Sequence, residues 1–217
     1  MKTLTIIALT LLFSNFSIAQ DSKYLQIMED NVTKIDSAKS AVEWIGIANT
    51  MERVAQKETE EWLPAYYASF CYLMTGIFTE DKKEQWSYYE KAEEWIKTCE
   101  TKANIDTSEV LVLKANIWGM QIALKPMKLG PTLGPLSDKV IKDAEKINPD
   151  NPRIYLLQGQ NAYYTPPMWG GDKDKAYELL KKARNLFETF KPSSSISPRW
   201  GQFQTNMLIQ EYESEKK

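Results

Sequence analysis

The chain has 217 residues, 43% of them apolar, with 27 lysines and arginines set against 29 acidic side chains and no histidine. The basic clusters are interleaved with acids, as Lys181, Lys182 and Arg184 are with Glu178 and Glu188, which excludes the one-signed surface that tracks nucleic-acid phosphates. Without imidazole no Ser-His-Asp or Cys-His apparatus can be assembled and the commonest zinc and iron ligand sets are missing, so the expectation is a protein that is not an enzyme and carries no cofactor and no metal.

Residues 1–19 read as a secretory leader: Lys2 precedes an apolar stretch from Leu4 to Phe13, and Ser17 and Ala19 supply the small side chains of a peptidase site. The stretch is short of the roughly 20 residues a bilayer span needs. Cleavage is expected before Gln20, leaving residues 20–217 as a single exported domain, periplasmic or extracellular. No cysteine borders the cleavage point, and no later segment is apolar for long enough to span a membrane.

Beyond the leader, apolar residues recur at spacings of three and four and no stretch sustains period-2 alternation, which predicts an all-α protein. Residues 21–35 form a weaker helix with Tyr24, Ile27, Met28 and Ile35. Ser40 and Glu43 have capping-box spacing ahead of a helix to 57 striped by Ala41, Ile45, Ala48 and Ala55. Trp62, Tyr66, Phe70 and Leu73 mark a helix that ends near Gly76, and Trp86, Tyr89, Ala92, Ile96 and Cys99 mark its successor. Asp106 and Glu109 open the next, through Val110, Leu113, Ile117, Gln121 and Leu124, and Pro126 stops it. Gly130-Pro131 and Gly134-Pro135 predict a loop, followed by a shorter helix with Val140, Ile141, Ala144 and Ile147 that Asn148-Pro149 closes. Asn151 with Pro152 caps another, bearing Tyr155, Gly159 and Ala162.

In "TPPMWGGDK" Pro166-Pro167 ends that helix, Gly170-Gly171 turns the chain, and Asp172 caps a strong helix through Ala176, Leu180, Ala183, Phe187 and Phe190. The stretch reads as a connector. Gly171-Asp172-Lys173 lacks the Gly-Lys-Ser/Thr of a phosphate loop, and Asp172 and Asp174 lack the further oxygen ligands of a calcium site. Trp169 is expected to pack on the helices, with an exposed anchor as the alternative. After "KPSSSIS" a last helix is expected from Ser197-Pro198. The pairs Glu60-Glu61 and Glu93-Glu94 point about 100° apart on a helix and read as surface charge. Cys71 and Cys99 lie toward opposite ends of neighbouring antiparallel helices, offset by roughly 15 Å, so two buried thiols are expected rather than a disulfide.

Taken in pairs, the helices share a register. Ser69, Ala115 and Gly159 stand at one depth of the first helices, with Tyr72, Trp118 and Ala162 three residues on. Gln85-Tyr89-Ala92, Ser137-Ile141-Ala144 and Ala176-Leu180-Ala183 stand in the partner helices, and Ala41-Ile45-Ala48 matches them. Small side chains at a crossing allow helix axes to approach closely. The register resembles the tetratricopeptide repeat from about residue 38 to 192, although the pairs start near Trp62, Ser108 and Pro152, farther apart than an ordinary repeat. "NPRIYLLQGQ", "TPPMWGGDK" and "KPSSSISPRWG" are similar to stretches of secreted bacterial repeat proteins.

The resemblance implies a right-handed α-α superhelix of about four helix pairs, with a final helix around Trp200, Phe203 and Leu208 capping the stack. It places Tyr66, Phe70, Asn116, Met120, Arg153, Gln160 and Tyr163 on an inner surface as partner-binding candidates, with Trp169 beside them. Only Arg153 and Asn116 match the clamp with which some relatives grip a C-terminal carboxylate. Two roles follow: an adaptor of the bacterial envelope that holds a protein or peptide, or a small-molecule-binding accessory of a transport system, with an apolar ligand in an enclosed pocket among Phe70, Met120 and Tyr163.

Overall fold

A computed structural model describes residues 22–216; the leader lies outside them. Among the described residues there are nine α-helices and no strand. They are α1 (22–35), α2 (Ala41–Lys57), α3 (Leu63–Ile77), α4 (Lys82–Glu100), α5 (Thr107–Leu124), α6 (Pro126–Ile147), α7 (Pro152–Tyr164), α8 (Lys173–Thr189) and α9 (Gln202–Glu215). None of the described helices is long and apolar enough to cross a membrane.

Local chemistry sets the helix starts. Side-chain oxygens of Ser40, Asp106, Asn151 and Asp172 accept from the backbone N–H of Glu43, Glu109, Arg153 and Lys175, satisfying donors that an α-helix leaves free in its first turn. Asp81 does the same for Lys83 and Glu84 at the start of α4. Short connections then make sequence neighbours pack against one another: α2 on α3, α3 on α4, α4 on α5, α5 on α6 and α7 on α8, while α9 packs on α8 beyond the irregular residues 190–201. In addition α5 touches both α3 and α7.

At the crossings the small residues are buried. Ser69 is enclosed and its hydroxyl donates to the Ala92 carbonyl at 2.7 Å, and Ala144, Ala176 and Ala183 are fully inaccessible. Two glycines are tighter still: a Cβ on Gly76 would stand 2.4 Å from Cε1 of Tyr89, and one on Gly159 2.8 Å from Cγ of Leu180. Two cores result: one from α1–α4 with one side of α5, the other from α5–α9, and Trp200 packs against both. Cys71 and Cys99 are free thiols in the first of them.

Three expectations are corrected. Residues 126–136 do not form a loop; α6 is one helix from Pro126 to Ile147 with Pro131 and Pro135 inside it. The Gly-Pro pairs are spaced by four residues, so their missing N–H groups fall on one stripe, and Pro131, Pro135 and Met127 are exposed there, where water can serve the freed carbonyls. The last helix begins at Gln202, not near Ser197. Ser197 and Pro198 are buried, and Gly201 turns the chain with φ 112° against Phe187, whose Cζ would lie 2.6 Å from any Cβ. Finally, Trp169 sits in a 3-10 turn and is 56% exposed instead of packed.

Candidate functional site

The face shared by α3, α5 and α7 is the one on which the sequence places its candidates. Arg153, in the first turn of α7, is fully buried, and its Nη1 donates to Oε1 of Glu109 on α5 at 2.9 Å. Asn151 Nδ2 donates to the same oxygen at 2.9 Å, and the Tyr66 hydroxyl of α3 donates to Oε2 at 3.2 Å. Three helices thus meet on one carboxylate. Burial raises the Glu109 carboxyl above its ordinary range, with the Arg153 charge opposing. Burial likewise pushes the Tyr66 phenol well up, so it stays protonated and available as a donor.

An irregular segment, residues 190–201, lies across this cluster. Arg153 Nη2 donates to the Pro198 carbonyl at 2.7 Å, and Tyr67 donates to the Ile196 carbonyl at 2.8 Å. The Trp200 indole N–H donates to Tyr66 at 2.8 Å while its ring stacks on Phe70, centroids 5.2 Å apart. The Arg153 guanidinium lies 4.8 Å from the Phe190 ring and 5.2 Å from that of Trp200, a cation sandwiched by aromatic faces. Arg199 pairs with Asp36 at 2.6 Å and Ser195 donates to Glu29 at 2.6 Å, which ties the outer side of the segment to α1 and its exit.

The candidates therefore separate. Tyr66, Phe70, Arg153 and Tyr163 are buried and form no open contact surface, since the 190–201 segment covers the first three and Tyr163 donates to Glu215 of α9 at 2.9 Å. Asn116, Met120 and Gln160 are half-buried, and Trp169 is exposed. Phe70 belongs to the first core, against which Met120 packs, and Tyr163 belongs to the second. Two solvent-open hollows of about 290 and 480 Å3 lie elsewhere, the first between Tyr24 and Ile27 of α1 and Val54 of α2, the second beside Asn31 and Gly46.

Sequence reasoning missed Glu109 as a buried ion and Trp200 as a wedge, reading the first as a cap and the second as part of a terminal helix. It also missed exposed apolar side chains on α7 and α9: Tyr164 at 64%, Met207 at 51% and, expected only as cap packing, Phe203 at 71%. No group of ligating side chains that could hold a metal ion is found among the described residues.

A helical binding protein is what this arrangement is similar to. No family model matches the sequence, and no curated protein does. Among solved structures, the HusA haemophore from Porphyromonas gingivalis is similar over 89% of this chain and 94% of its own, with a TM-score of 0.78 and 28% sequence identity.

Proposed function

We propose that the mature chain is an exported, non-catalytic carrier of a flat, largely apolar small molecule of the haem or porphyrin class, built as a right-handed tetratricopeptide-like superhelix whose inner surface is the α3–α5–α7 face. The observation that carries this reading is the similarity, nearly end to end, to a haemophore. The superhelix is supported by the buried small residues at the crossings, Gly159 against Leu180 above all. The leader of residues 1–19 supports export.

The chain offers no imidazole to an iron, and both of its thiols are buried. Hold on such a ring then comes chiefly from aromatic and aliphatic contact with its faces rather than from histidine or thiolate ligation. The peptide-holding adaptor is less well supported, because residues 190–201 already lie where a bound peptide would lie. The test is an absorbance titration of the mature chain with iron(III) protoporphyrin IX and with metal-free protoporphyrin IX. Saturable one-to-one binding of both, with Kd of about 1 μM or tighter, is expected; linear, non-saturating uptake of each would refute the proposal.

A further inference from the structure

We infer that the ligand's seat is the flank of that face between α7 and α9, formed by Tyr164, Phe203 and Met207, and not the base of the groove around Phe70; this rests on the carrier reading above. The base is closed by its own chemistry. To stack on Phe70 a ligand must expel Trp200, and with it the Tyr66 contact and the Arg153 and Tyr67 bonds to the carbonyls of Pro198 and Ile196. The Arg153 and Tyr67 bonds are buried and the Tyr66 contact is part-buried, so their loss strands polar groups.

The flank has the opposite character. On α9, Thr205, Leu208 and Ile209 are buried, whereas Phe203 and Met207, four residues apart and so one above the other, face away from that packing and stand open. The course of α9 beside α7 is fixed at both ends: a Cβ on Gly201 would stand 3.2 Å from Leu156, and Glu215 accepts from Tyr163 at 2.9 Å. Burial, and after it the charge of Glu211 four residues past Met207, raise the Tyr164 phenol. The Met207–Glu211 edge of α9 therefore runs along the end of α7 that carries Tyr164. Tyr163 meets the Tyr164 ring edge-on, with centroids 5.1 Å apart, and steadies it.

Isolated exposed apolar residues are ordinary, but an aromatic, a thioether and a second aromatic on one flank make a surface suited to a planar apolar ring: two rings to stack and a soft, adaptable sulfur to fill the contact. Asn161, three residues before Tyr164, and Asn206, beside Met207 in the chain, are half-buried polar side chains. Residues 203–207 carry no charge, whereas Glu211 stands on the next turn of the stripe, so a ring's carboxylates are left toward solvent and away from it.

The experiment is the same porphyrin titration on F203A, M207A and Y164A, with M127A on the exposed side of α6 as the control. These side chains are exposed, so the variants keep the fold, which circular dichroism verifies. F203A and M207A are expected to weaken both rings roughly tenfold or more, as loss of a buried apolar contact implies, while M127A stays within about twofold. Wild-type binding with F203A and M207A unaltered overturns the seat while leaving the carrier intact. So does sedimentation showing that F203A splits a dimer without changing affinity per chain, which would make the patch a self-association surface. A wild-type chain that takes up neither ring removes both proposals together.

Discussion

Trp200 lies nearly face to face on Phe70, with ring centroids 5.2 Å apart and planes 23° from parallel. Phe70 belongs to the first core, and the indole packs against both cores. The stack, the hydrogen bond to Tyr66 and the Arg153 guanidinium 5.2 Å from the indole ring make the 190–201 segment part of the interior.

Replacing Trp200 by alanine removes this wedge and leaves Tyr66 and Arg153 without their cover. The expected loss of stability is about 3–5 kcal/mol, measured by urea unfolding. Trp169→Ala, at a residue more than half exposed, is expected to change stability by no more than about 0.5–1 kcal/mol. Equal losses in the two variants would contradict the assignment of Trp200 to the interior.

The ion pair of Arg153 and Glu109 is expected to be strongly non-additive. Arg153→Met strands a buried carboxylate and Glu109→Leu a buried guanidinium, each at about 3–5 kcal/mol, whereas the double substitution leaves neither charge unpaired. The double variant is therefore expected to be less destabilised than the sum of the singles by at least about 1 kcal/mol. Additive losses in a double-mutant cycle would mean that the two groups do not depend on one another.

Glu109 also sets a sign for pH dependence. Burial raises its folded-state pKa above its unfolded value, so the native chain holds that proton more tightly than the unfolded chain does. The contribution is complete below the unfolded value of about 4.3 and is lost as pH rises through the raised folded value. Stability of the wild type relative to Glu109→Gln is therefore expected to fall with rising pH across this window. A relative gain would show that the Arg153 charge outweighs burial.

Both thiols are expected to be silent in the native state. Burial pushes Cys99 up to about 12 and Cys71 also upward, so at neutral pH neither forms the reactive thiolate. Alkylation without reductant should label neither cysteine in the folded chain and both after denaturation. A single slow label at native conditions would place one of them at an opening surface.

Much of the fold was legible because its signals are local. Ser40, Asp106, Asn151 and Asp172 cap the helices they precede, and the small residues at Ser69, Ala144 and Gly159 announce the close crossings at which they are buried. Errors arose where distant contacts override a local preference. Ser197-Pro198 has the look of a helix start, yet the Pro198 carbonyl is claimed by Arg153, 45 residues away, and the chain stays irregular until Gly201. The candidate site failed in the same manner. The helices of Tyr66, Phe70 and Arg153 were identified, but what covers their side chains arrives from far along the chain: Trp200 reaches Tyr66 across 134 residues, and nothing near Tyr66 foretells it. Met207 and Tyr164 were passed over since an apolar residue on a helix reads as core until its burial is known.

The most direct test of the account is equilibrium titration of residues 20–217 with iron(III) protoporphyrin IX beside the metal-free ring. The account predicts saturable binding of one ring per chain, with affinities for the two forms within about tenfold, because contact with the ring faces and not ligation of iron supplies the hold. Binding of neither ring would contradict it, as would strong binding of the iron form alone.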